Sequence, residues 1–264
     1  MPPAHAAPRL PTFPRDGVGA RAFLIYEDAR ILAFDKPAGL SVQGGSGVEA
    51  NLDAMLAAFA RGPSKQPRLA HRLDRETSGV IVAGRTHAAL VFLNRAFADR
   101  RTAKTYLALV CGGAPDPAEG VATAPLIKTK ARGVDVVRAA RPGEAGAQTA
   151  ETAYRTLASS PAAALVEVRP RTGRMHQIRA HLALLGRPIA GDGKYGGLFM
   201  LGGVAAPHLL LHALALDAPH PDGGRLRLTA PPPPAFAAAA AALGFADALP
   251  DVPVGGARID GEAT

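Results

Sequence analysis

Short apolar runs separated by polar turns dominate the first half of the chain. Residues 23–26 and 31–34 are largely apolar and flank the polar residues 27–30, a pattern that predicts a β-hairpin. The same reasoning predicts further elements, namely a helix over residues 51–60, a buried strand over 80–83, a helix over 87–98 capped by Thr86, and a strand over 104–110.

The second half of the chain is less regular. Residues 112–146 are rich in Gly, Pro and charge, which predicts loops and short strands. The elements predicted beyond them are strands over 152–157, 165–168, 208–216 and 226–229, and helices over 174–185, ended by Gly186 and Pro188, and over 235–243. Because strands and helices do not alternate regularly, we expect an α+β fold with a mixed, largely antiparallel β-sheet and flanking helices.

The 264 residues are expected to form one folded domain with two flexible ends. Residues 1–20 contain five prolines and are expected to be a flexible leader, residues 21–246 the single domain, and residues 247–264 a flexible tail. The most apolar stretch, residues 235–246, is mostly alanine. It is shorter than the roughly 20 residues that a helix needs to cross a bilayer, so we expect no membrane contact.

The chain is basic, with 30 Lys and Arg against 22 Asp and Glu and a net charge of +8. This balance favours a polyanionic partner such as nucleic acid. Since 24 of the 30 basic residues are Arg in a chain rich in Ala, Gly and Pro, composition alone does not establish that partner. The single cysteine, Cys111, excludes an internal disulfide. Without Cys/His zinc spacing, it indicates a cytoplasmic protein with no structural metal site.

Two sequence patterns resemble a nucleotide site and a metal site but lack the structural context that such sites require. The segment Gly45-Ser-Gly-Val-Glu-Ala50 fits the dinucleotide fingerprint, but it follows a turn and a hairpin rather than a strand within a βαβ unit. We therefore expect no nucleotide cofactor. His176 and His181 lie five positions apart on one predicted helix, so their rings point in different directions and do not predict a metal site.

A polar segment, His71-Arg-Leu-Asp-Arg-Glu-Thr-Ser-Gly79, lies directly before the predicted buried strand at 80–83. Within it Asp74 is flanked by Arg72 and Arg75, and neighbouring positive charge favours the ionised carboxylate. An ionised carboxylate is suited to act as a nucleophile or base rather than as a general acid. The alternative is a surface salt-bridge cluster, which is common and contributes little stability.

A second segment combines an apolar helix stripe with an arginine. Met175, Ile178 and Leu182 share one face of the predicted helix, and Arg179 lies at the edge of that face. A partly desolvated guanidinium keeps its proton and needs an anionic partner such as a carboxylate or phosphate. The alternative is an arginine whose stem packs on the core while its charged group reaches solvent.

Tyr106 is the polar aromatic residue in the otherwise aliphatic strand predicted over 104–110. A tyrosine beside basic residues can stack on a nucleobase. The alternative is a core tyrosine whose hydroxyl is hydrogen-bonded within the protein.

Ordered motifs run through most of the chain, from about residue 24 to about residue 236. Besides the segment from His71 to Gly79, they are Tyr26-Glu-Asp28, Asp35-Lys-Pro-Ala-Gly39, Lys104-Thr-Tyr-Leu-Ala-Leu-Val110, Thr172-Gly-Arg-Met-His-Gln-Ile-Arg179 with His181-Leu182, Gly186-Arg-Pro-Ile-Ala-Gly-Asp192, Lys194-Tyr-Gly196, and Leu211-His-Ala213 with His220-Pro221. This set, in this order, resembles the RluA-type family of pseudouridine synthases. One departure is Met175, where many members carry Thr or Ser.

The resemblance implies roles for individual residues. It implies that Asp74 is the catalytic aspartate, that Tyr106 stacks on the target uracil, and that Arg179 pairs with the aspartate. It also implies that Arg72 lies beside a flipped-out nucleotide. The remaining candidates for binding the RNA substrate are His71, Arg75, Thr77, Arg174 and His176.

The reaction that the resemblance implies isomerises uridine within RNA. The N1–C1′ bond breaks, the base turns while it is held, a C5–C1′ bond forms, and a proton leaves C5, so no cofactor or metal is expected. Because a stacked base cannot turn over inside a helix, the nucleotide must flip into a pocket.

The expected partner is RNA, bound by a monomer. Large-subunit ribosomal RNA is favoured because the loop Gln43-Gly-Gly-Ser-Gly47 resembles relatives that modify it. Transfer RNA is the second candidate, because the residues before the first predicted strand are too few for the S4-type RNA-binding domain of many relatives. Two other functions stay open. One is a non-catalytic RNA-binding or ribosome-assembly module of this fold. The other is a glycosidase, for which only Glu76 offers a second carboxylate nearby.

Overall fold

Strands make up most of the regular structure in the computed structural model, which describes residues 18–44, 50–62, 65–131, 133–253 and 256–260. The helices are α1 (Val18–Arg21), α2 (Leu52–Met55), α3 (His87–Ala98), α4 (Gln177–Leu184) and α5 (Pro234–Ala242). The strands are β1 (Leu24–Glu27), β2 (Ile31–Lys36), β3 (Arg68–Leu69), β4 (Ser78–Gly84), β5 (Ala103–Cys111), β6 (Glu119–Ala122), β7 (Leu126–Ala131), β8 (Val134–Ala139), β9 (Thr152–Ser159), β10 (Ala163–Pro170), β11 (Met200–Leu201), β12 (Val204–Ala205), β13 (Leu211–Pro219), β14 (Arg225–Thr229) and β15 (Ala257–Asp260). Within the described ranges, no helix has the length and apolar character of a membrane span.

One large sheet organises the molecule. Its main path runs β1-β2-β4-β13-β5-β10-β9-β6, while β3 pairs with β4 and the pair β14–β15 continues from β13. Among the described strands, the pairing of β4 with β13 is the one parallel contact, and the neighbouring pairs β2–β4 and β13–β5 are antiparallel. This arrangement confirms the expected α+β fold with a mixed, largely antiparallel sheet.

The parallel contact depends on a glycine. Gly79 has φ +107°, and a Cβ at this position would lie 2.2 Å from the carbonyl oxygen of Ala213. A side chain there would clash with the backbone of β13, so only glycine permits this close approach. The contact holds the loop that precedes β4, which contains Asp74, against the centre of the sheet.

Beside that contact lies a buried histidine that links the folding free energy to pH. Ser78 Oγ lies 2.9 Å from His212 Nδ1, and His212 Nε2 lies 2.9 Å from the carbonyl oxygen of Ala230. The carbonyl can only accept, so Nε2 carries the proton and Nδ1 accepts the hydroxyl proton of Ser78. Burial lowers the pKa of His212 to about 4, although the bond to Ala230 opposes this shift.

We expect the free energy of unfolding to fall as the pH drops from about 6.5 towards 4. In this window the unfolded chain binds a proton at His212 that the folded protein does not, which costs about 1.4 kcal/mol per pH unit. In His212→Asn, the part of the pH dependence of the unfolding free energy that comes from His212 should disappear. His87→Asn, at an exposed residue of α3, should keep it. Urea unfolding at pH 4, 5, 6 and 7 measures the slopes. Equal slopes in the two variants would contradict the assignment.

Local sequence patterns predicted several elements correctly. The hairpin expected over residues 23–34 is the antiparallel pair β1–β2. Helix α3 has the predicted bounds, and Thr86 Oγ1 accepts the backbone N–H of Ala89 at 3.1 Å, as expected of an N-cap. Leu90 and Leu93 of this helix are buried. These elements follow from short-range capping and apolar periodicity alone.

Helix α4 begins later than predicted. The pattern placed its start at residue 174, but the helix begins at Gln177, because His176 has φ 50° and ψ 21° in the left-handed region. The backbone N–H of Arg174 donates to Gln177 Oε1 at 3.0 Å. Residues 174–176 therefore form a turn that leads into the helix, which changes where the His176 side chain lies.

The two ends of the chain also differ from expectation. Helix α1 includes Ala20, which is fully buried, so the leader expected over 1–20 is partly folded. Strand β15 pairs with β14, so part of the segment 247–264, which was expected to be a flexible tail, belongs to the sheet. An unpaired β14 would leave backbone donors and acceptors open at the sheet edge, which β15 satisfies. Residues 1–17 and 261–264 lie outside the described residues, as do residues 45–49 of the glycine-rich loop.

Strands β7 and β8 form a separate hairpin, consistent with the short strands expected over 112–146. Leu126 and Val137 are buried in one cluster with Ala150 and with Ala180 of α4. The hairpin therefore packs on α4 and brings its backbone next to the side chains described below.

Candidate active site

A cleft of about 630 Å³ opens on one side of the sheet, between the loop before β4, the start of β5, and the segment that leads into α4. Eight of the nine residues singled out from the sequence line it. They are His71, Arg72, Asp74, Thr77, Tyr106, Arg174, His176 and Arg179. The volume lies within the range of about 300–1,000 Å³ common for small-molecule sites, so it has room for a nucleotide.

Asp74 presents its carboxylate to this cleft. The loop turns at this residue, where the backbone N–H of Thr77 donates to the Asp74 carbonyl oxygen at 3.1 Å. Arg179 Nη1 donates to Asp74 Oδ2 at 2.9 Å, although the two residues are 105 positions apart. The side chain of Asp74 is 24% exposed, and within the described structure no hydrogen bond occupies its Oδ1. One carboxylate oxygen is therefore held and the other is open to a ligand.

Arg179 is held in turn by a second aspartate. Its Nε and Nη2 atoms donate to the two carboxylate oxygens of Asp192 at 2.7 and 2.8 Å, and Asp192 is fully buried. Burial disfavours the charged guanidinium, but the bonds to Asp192 and the charges of Asp192 and Asp74 outweigh it, so the pKa of Arg179 lies above its ordinary value. The structure thus shows a buried, paired arginine rather than one whose charged group reaches solvent.

Asp192 is a site residue that the sequence reasoning did not assign. It lies at the end of the Gly186–Asp192 motif, which had no chemical role attached to it. A signal was present, because a buried guanidinium has five N–H donors and one carboxylate at Asp74 cannot satisfy them. A second acidic residue in a nearby motif was the natural partner to seek.

Tyr106 lines the cleft, and no hydrogen bond to its hydroxyl is made by any described residue. Burial first, and then the negative charge of Asp74, raise the pKa of its phenol above the ordinary value, so the hydroxyl stays protonated. The alternative of a core tyrosine with a bonded hydroxyl is therefore not what the structure shows. Tyr106 is available to contact a ligand beside Asp74.

His176 connects the site to the β7–β8 hairpin through Tyr195. The backbone N–H of Val137 donates to Tyr195 Oη at 2.9 Å, which leaves the hydroxyl proton for His176 Nδ1, also at 2.9 Å. The Nε2–H of His176 then faces Asp74 Oδ2 at 3.8 Å. Burial lowers the pKa of His176, with Asp74 opposing, so the ring is neutral near pH 7. His176 was a candidate from the sequence, whereas Tyr195 belonged to a motif but had no role assigned to it.

We expect that in Tyr195→Phe the His176 ring is no longer held in the Nε2–H tautomer. Without the hydroxyl proton, Nδ1 loses its donor, and the ¹⁵N chemical shifts of the ring should move away from those of an Nε2–H tautomer. The Val137 N–H also loses its acceptor, which should lower the free energy of unfolding by about 1–3 kcal/mol. Tyr154→Phe is the control, because no hydrogen bond to the hydroxyl of that buried tyrosine is made by the described residues. Unchanged His176 shifts in Tyr195→Phe would refute this arrangement.

Lys36 is a third residue, after Asp192 and Tyr195, to which the sequence patterns assigned no role. It is fully buried, and its Nζ donates to the carbonyl oxygens of Pro37, Leu40 and Arg75 at 3.0, 2.9 and 3.0 Å. Burial lowers its pKa to about 7, while the charges of Asp74 and Asp35 oppose the shift. Its ammonium joins the end of β2 to the loop that carries Asp74.

Arg75 does not take the place expected of it. It was expected to flank the Asp74 carboxylate, but it is absent from the cleft wall, and its Nε donates to the carbonyl oxygen of Gly39 at 3.0 Å. Its own carbonyl accepts the N–H of Gly39 at 2.8 Å. Arg75 therefore fastens the loop to the turn after β2, and Arg179 supplies the charge beside Asp74.

The other predicted residues occupy the wall and the mouth of the cleft. The ring of His71 packs on Phe97 with centroids 4.7 Å apart, and its Nε2 accepts the backbone N–H of Val82 at 3.1 Å. Burial, then the charge of Lys104, lowers the pKa of His71 to about 3. Arg72 is exposed at the mouth, and Arg174 Nε donates to the Thr149 carbonyl oxygen at 3.1 Å. RNA binding by these residues stays a prediction.

Comparison with known proteins identifies the family. Residues 30–184, more than half of the chain, match the family model described as RNA pseudouridylate synthase. The chain belongs to this family. The matched segment includes Asp74, Tyr106 and Arg179, whereas Asp192 and Tyr195 lie beyond its end.

Sequence identity to individual members of the pseudouridylate synthase family supports the same assignment. The chain is 37% identical over 215 residues to the ribosomal large subunit pseudouridine synthase C of Escherichia coli K12, covering 79% of this chain and 66% of the relative. It is 35% identical over 250 residues to the mitochondrial RNA pseudouridine synthase 4 of Arabidopsis thaliana, covering 75% and 52%. These matches place the chain among RluA-type members. The chain spans about half to two thirds of the length of these curated relatives.

A solved structure shows the same fold. Human RNA pseudouridylate synthase domain containing 4 superposes with a TM-score of 0.73 at 28% identity, covering 86% of this chain and 96% of that chain. In the present chain, the described residues contain no group of three His, Cys, Asp or Glu side chains arranged as metal ligands would be.

Proposed function

We propose that this protein is an RNA pseudouridine synthase in which Asp74 is the catalytic aspartate. The observation that carries the proposal is the chain of contacts in the cleft, where Arg179 bonds Asp74 on one side and the buried Asp192 on the other. This pairing holds the carboxylate in a fixed orientation, with Oδ1 open towards the space where a nucleotide fits. Tyr106 lines the same space.

The chemistry of the proposed reaction matches these groups. An ionised carboxylate is required whether it attacks C1′ of the ribose, attacks the pyrimidine ring, or removes a proton from C2′. Arg179 keeps its proton in every step because it is buried between two carboxylates. Tyr106 contacts the flipped base beside Asp74 while the base turns.

The arrangement argues against a glycosidase. Retaining and inverting glycosidases place two carboxyl groups across the scissile bond. Among the residues that line the cleft, Asp74 is the one carboxylate, and Glu76 is not part of the wall. A single held carboxylate fits an isomerase better than a hydrolase.

For the substrate we propose large-subunit ribosomal RNA, with transfer RNA as the second candidate. The printed name of the Escherichia coli relative, ribosomal large subunit pseudouridine synthase C, supports the first choice, as does the resemblance of the loop that starts at Gln43. Single-stranded loops are the favoured targets, because an unpaired base flips at the lowest free-energy cost.

The proposal is tested with RNA labelled with tritium at uracil C5. The protein should release tritium to water from transcripts of large-subunit ribosomal RNA, and chemical adduct mapping should locate pseudouridine at the uridines that lost tritium. Release from transfer RNA alone would move the substrate to the second candidate. RNA binding without tritium release from either RNA would instead support a non-catalytic module of this fold and overturn the proposed activity.

We further propose that the protein acts as a cytoplasmic monomer. Its single cysteine, Cys111, is buried and forms no disulfide, which supports a reducing compartment. Light scattering should give a mass near 27.1 kDa, and cell fractionation should recover the protein with the cytosol. Twice that mass, or recovery in another compartment, would contradict this part of the proposal.

A further inference from the structure

The cationic side chains around the cleft fall into two groups. Arg171, Arg174 and Arg179 already have acceptors, namely Glu151 at 2.6 Å, the Thr149 carbonyl at 3.1 Å, and the two aspartates. Within the described ranges, Arg72, Arg100 and Lys104 line the same cleft without a carboxylate within ion-pair distance. The second group is therefore free to meet an anion that enters the cleft.

Lys104 is the member of that group set deepest in the wall. Its Nζ has one contact, the Thr172 carbonyl oxygen at 3.5 Å, which is at the far limit of a hydrogen bond. An ammonium carries three protons, so two remain without an acceptor from the described residues. Burial lowers the pKa of Lys104. A partly desolvated cation is costly without an anionic partner, so this position favours an anionic group of a ligand.

Gly173 keeps the ammonium accessible. A Cβ at Gly173 would lie 3.8 Å from Lys104 Nζ, in van der Waals contact with the ammonium. Glycine leaves that direction open to the cleft. The backbone here therefore leaves one side of the ammonium open, while the Thr172 carbonyl oxygen contacts Nζ from another.

Lys104 and Tyr106 lie two positions apart on β5. Residues two apart on a strand project to the same face, with their Cα atoms about 6.6 Å apart. Within one nucleotide, the base and its phosphate are separated by a comparable distance. A nucleotide whose base contacts Tyr106 can therefore place a phosphate beside Lys104.

We propose that Lys104 binds a backbone phosphate next to the flipped uridine while Tyr106 contacts the base. This inference rests on the proposed function and names the part of the RNA that the wall of β5 recognises. The ammonium gives the phosphate a charge-assisted hydrogen bond that replaces the missing acceptor. The contact fixes the depth to which the nucleotide enters and acts on binding rather than on the chemical step.

The test compares Lys104→Met with Lys104→Arg, using the large-subunit ribosomal RNA transcript as probe. Methionine keeps an unbranched side chain of similar size without the charge. We expect it to raise KM about tenfold, to change kcat less than about twofold, and to lower the slope of log Kd against log salt by about 0.7–0.9. Lys104→Arg should recover most of the slope. Lys65→Met is the matched control, because Lys65 is exposed and lies outside the cleft wall.

Binding is measured in the Asp74→Asn background, so that the slope is obtained without turnover. If the wild-type protein releases no tritium, the proposed function fails, while the slope still reports on Lys104. A slope in Lys104→Met equal to that in Lys65→Met, or a loss of kcat with KM unchanged, would overturn the phosphate contact. If Lys104→Met does not fold, wild-type protein is tested on RNA with neutral methylphosphonate linkages at the modified uridine. Equal affinity for both RNAs would then overturn it.

Discussion

Asp74→Asn is expected to abolish the release of C5 tritium from RNA, with a rate loss of about 10⁴-fold or more. Asparagine has the same shape but cannot act as a nucleophile or take up a proton as a base. RNA affinity should change less than about threefold, because Asp74 contributes no positive charge to phosphate binding. Single-turnover tritium release and filter binding measure the two quantities on the same RNA.

The matched control is Glu76→Gln, which removes a carboxylate two residues away that does not line the cleft. We expect this variant to retain the wild-type rate within about twofold. Asp74→Ala provides a second test without any hydrogen-bonding group. Release at the wild-type rate in either Asp74 variant would show that the carboxylate is not the catalytic group.

Asp192→Asn is expected to lose both activity and stability. The change leaves the buried Arg179 guanidinium with Asp74 as its one charged partner, and removing one member of a buried ion pair costs about 3–5 kcal/mol. Asp192 Oδ1 also accepts the backbone N–H groups of Lys194 and Tyr195 at 3.1 and 3.3 Å, so the loop that carries Tyr195 should loosen. Denaturant unfolding measures the first effect. We expect kcat to fall by about 10²-fold because Asp74 loses its fixed orientation.

A surface ion pair provides the comparison. Asp217 contacts Arg225 at 2.6 Å and Arg227 at 3.3 Å, and these side chains are 30%, 43% and 58% exposed. Asp217→Asn should change the free energy of unfolding by less than about 1 kcal/mol, since exposed pairs contribute little. An equal loss in the two variants would contradict the view that burial makes the Asp192 pair important.

A double variant separates folding from catalysis. Arg179→Met combined with Asp192→Leu replaces the buried ion pair by apolar side chains of similar size, which is often neutral or stabilising. We expect it to recover most of the stability lost in Asp192→Asn. Activity should stay lost, because Asp74 then has no cation to hold it. Recovery of activity together with stability would mean that the pair serves only the fold.

The sequence patterns that predicted structure best are those decided within a few residues. The β1–β2 hairpin and α3 depend on apolar periodicity, a polar turn and the Thr86 cap, and the structure confirms all three. Helix α4 was predicted too long because its first turn responds to a distant contact. His176 adopts a left-handed conformation and contacts Tyr195, nineteen positions further along the chain.

Motifs in the sequence also identified the chemistry of the site better than its geometry. Asp74, Tyr106 and Arg179 were singled out by residue type and context, and they line one cleft. The partner of Asp74 was assigned partly to its neighbours Arg72 and Arg75, whereas the structure gives that place to Arg179. Adjacent residues on a turning loop point in different directions, so sequence proximity was a poor guide to charge pairing.

By itself, the sequence determined the fold class, the hairpin and helix that local patterns specify, and three candidate residues, Asp74, Tyr106 and Arg179, that line one cleft. Apart from the Arg179–Asp74 pair, which the resemblance implied, only the tertiary structure decided which charges meet. The buried pair of Arg179 with Asp192 and the triply bonded ammonium of Lys36 each join separate segments of the chain. Burying a charge is costly unless an opposite charge or hydrogen-bond acceptors compensate for the lost hydration. That condition is met by the packing of the whole sheet and its loops, which no local stretch of residues contains.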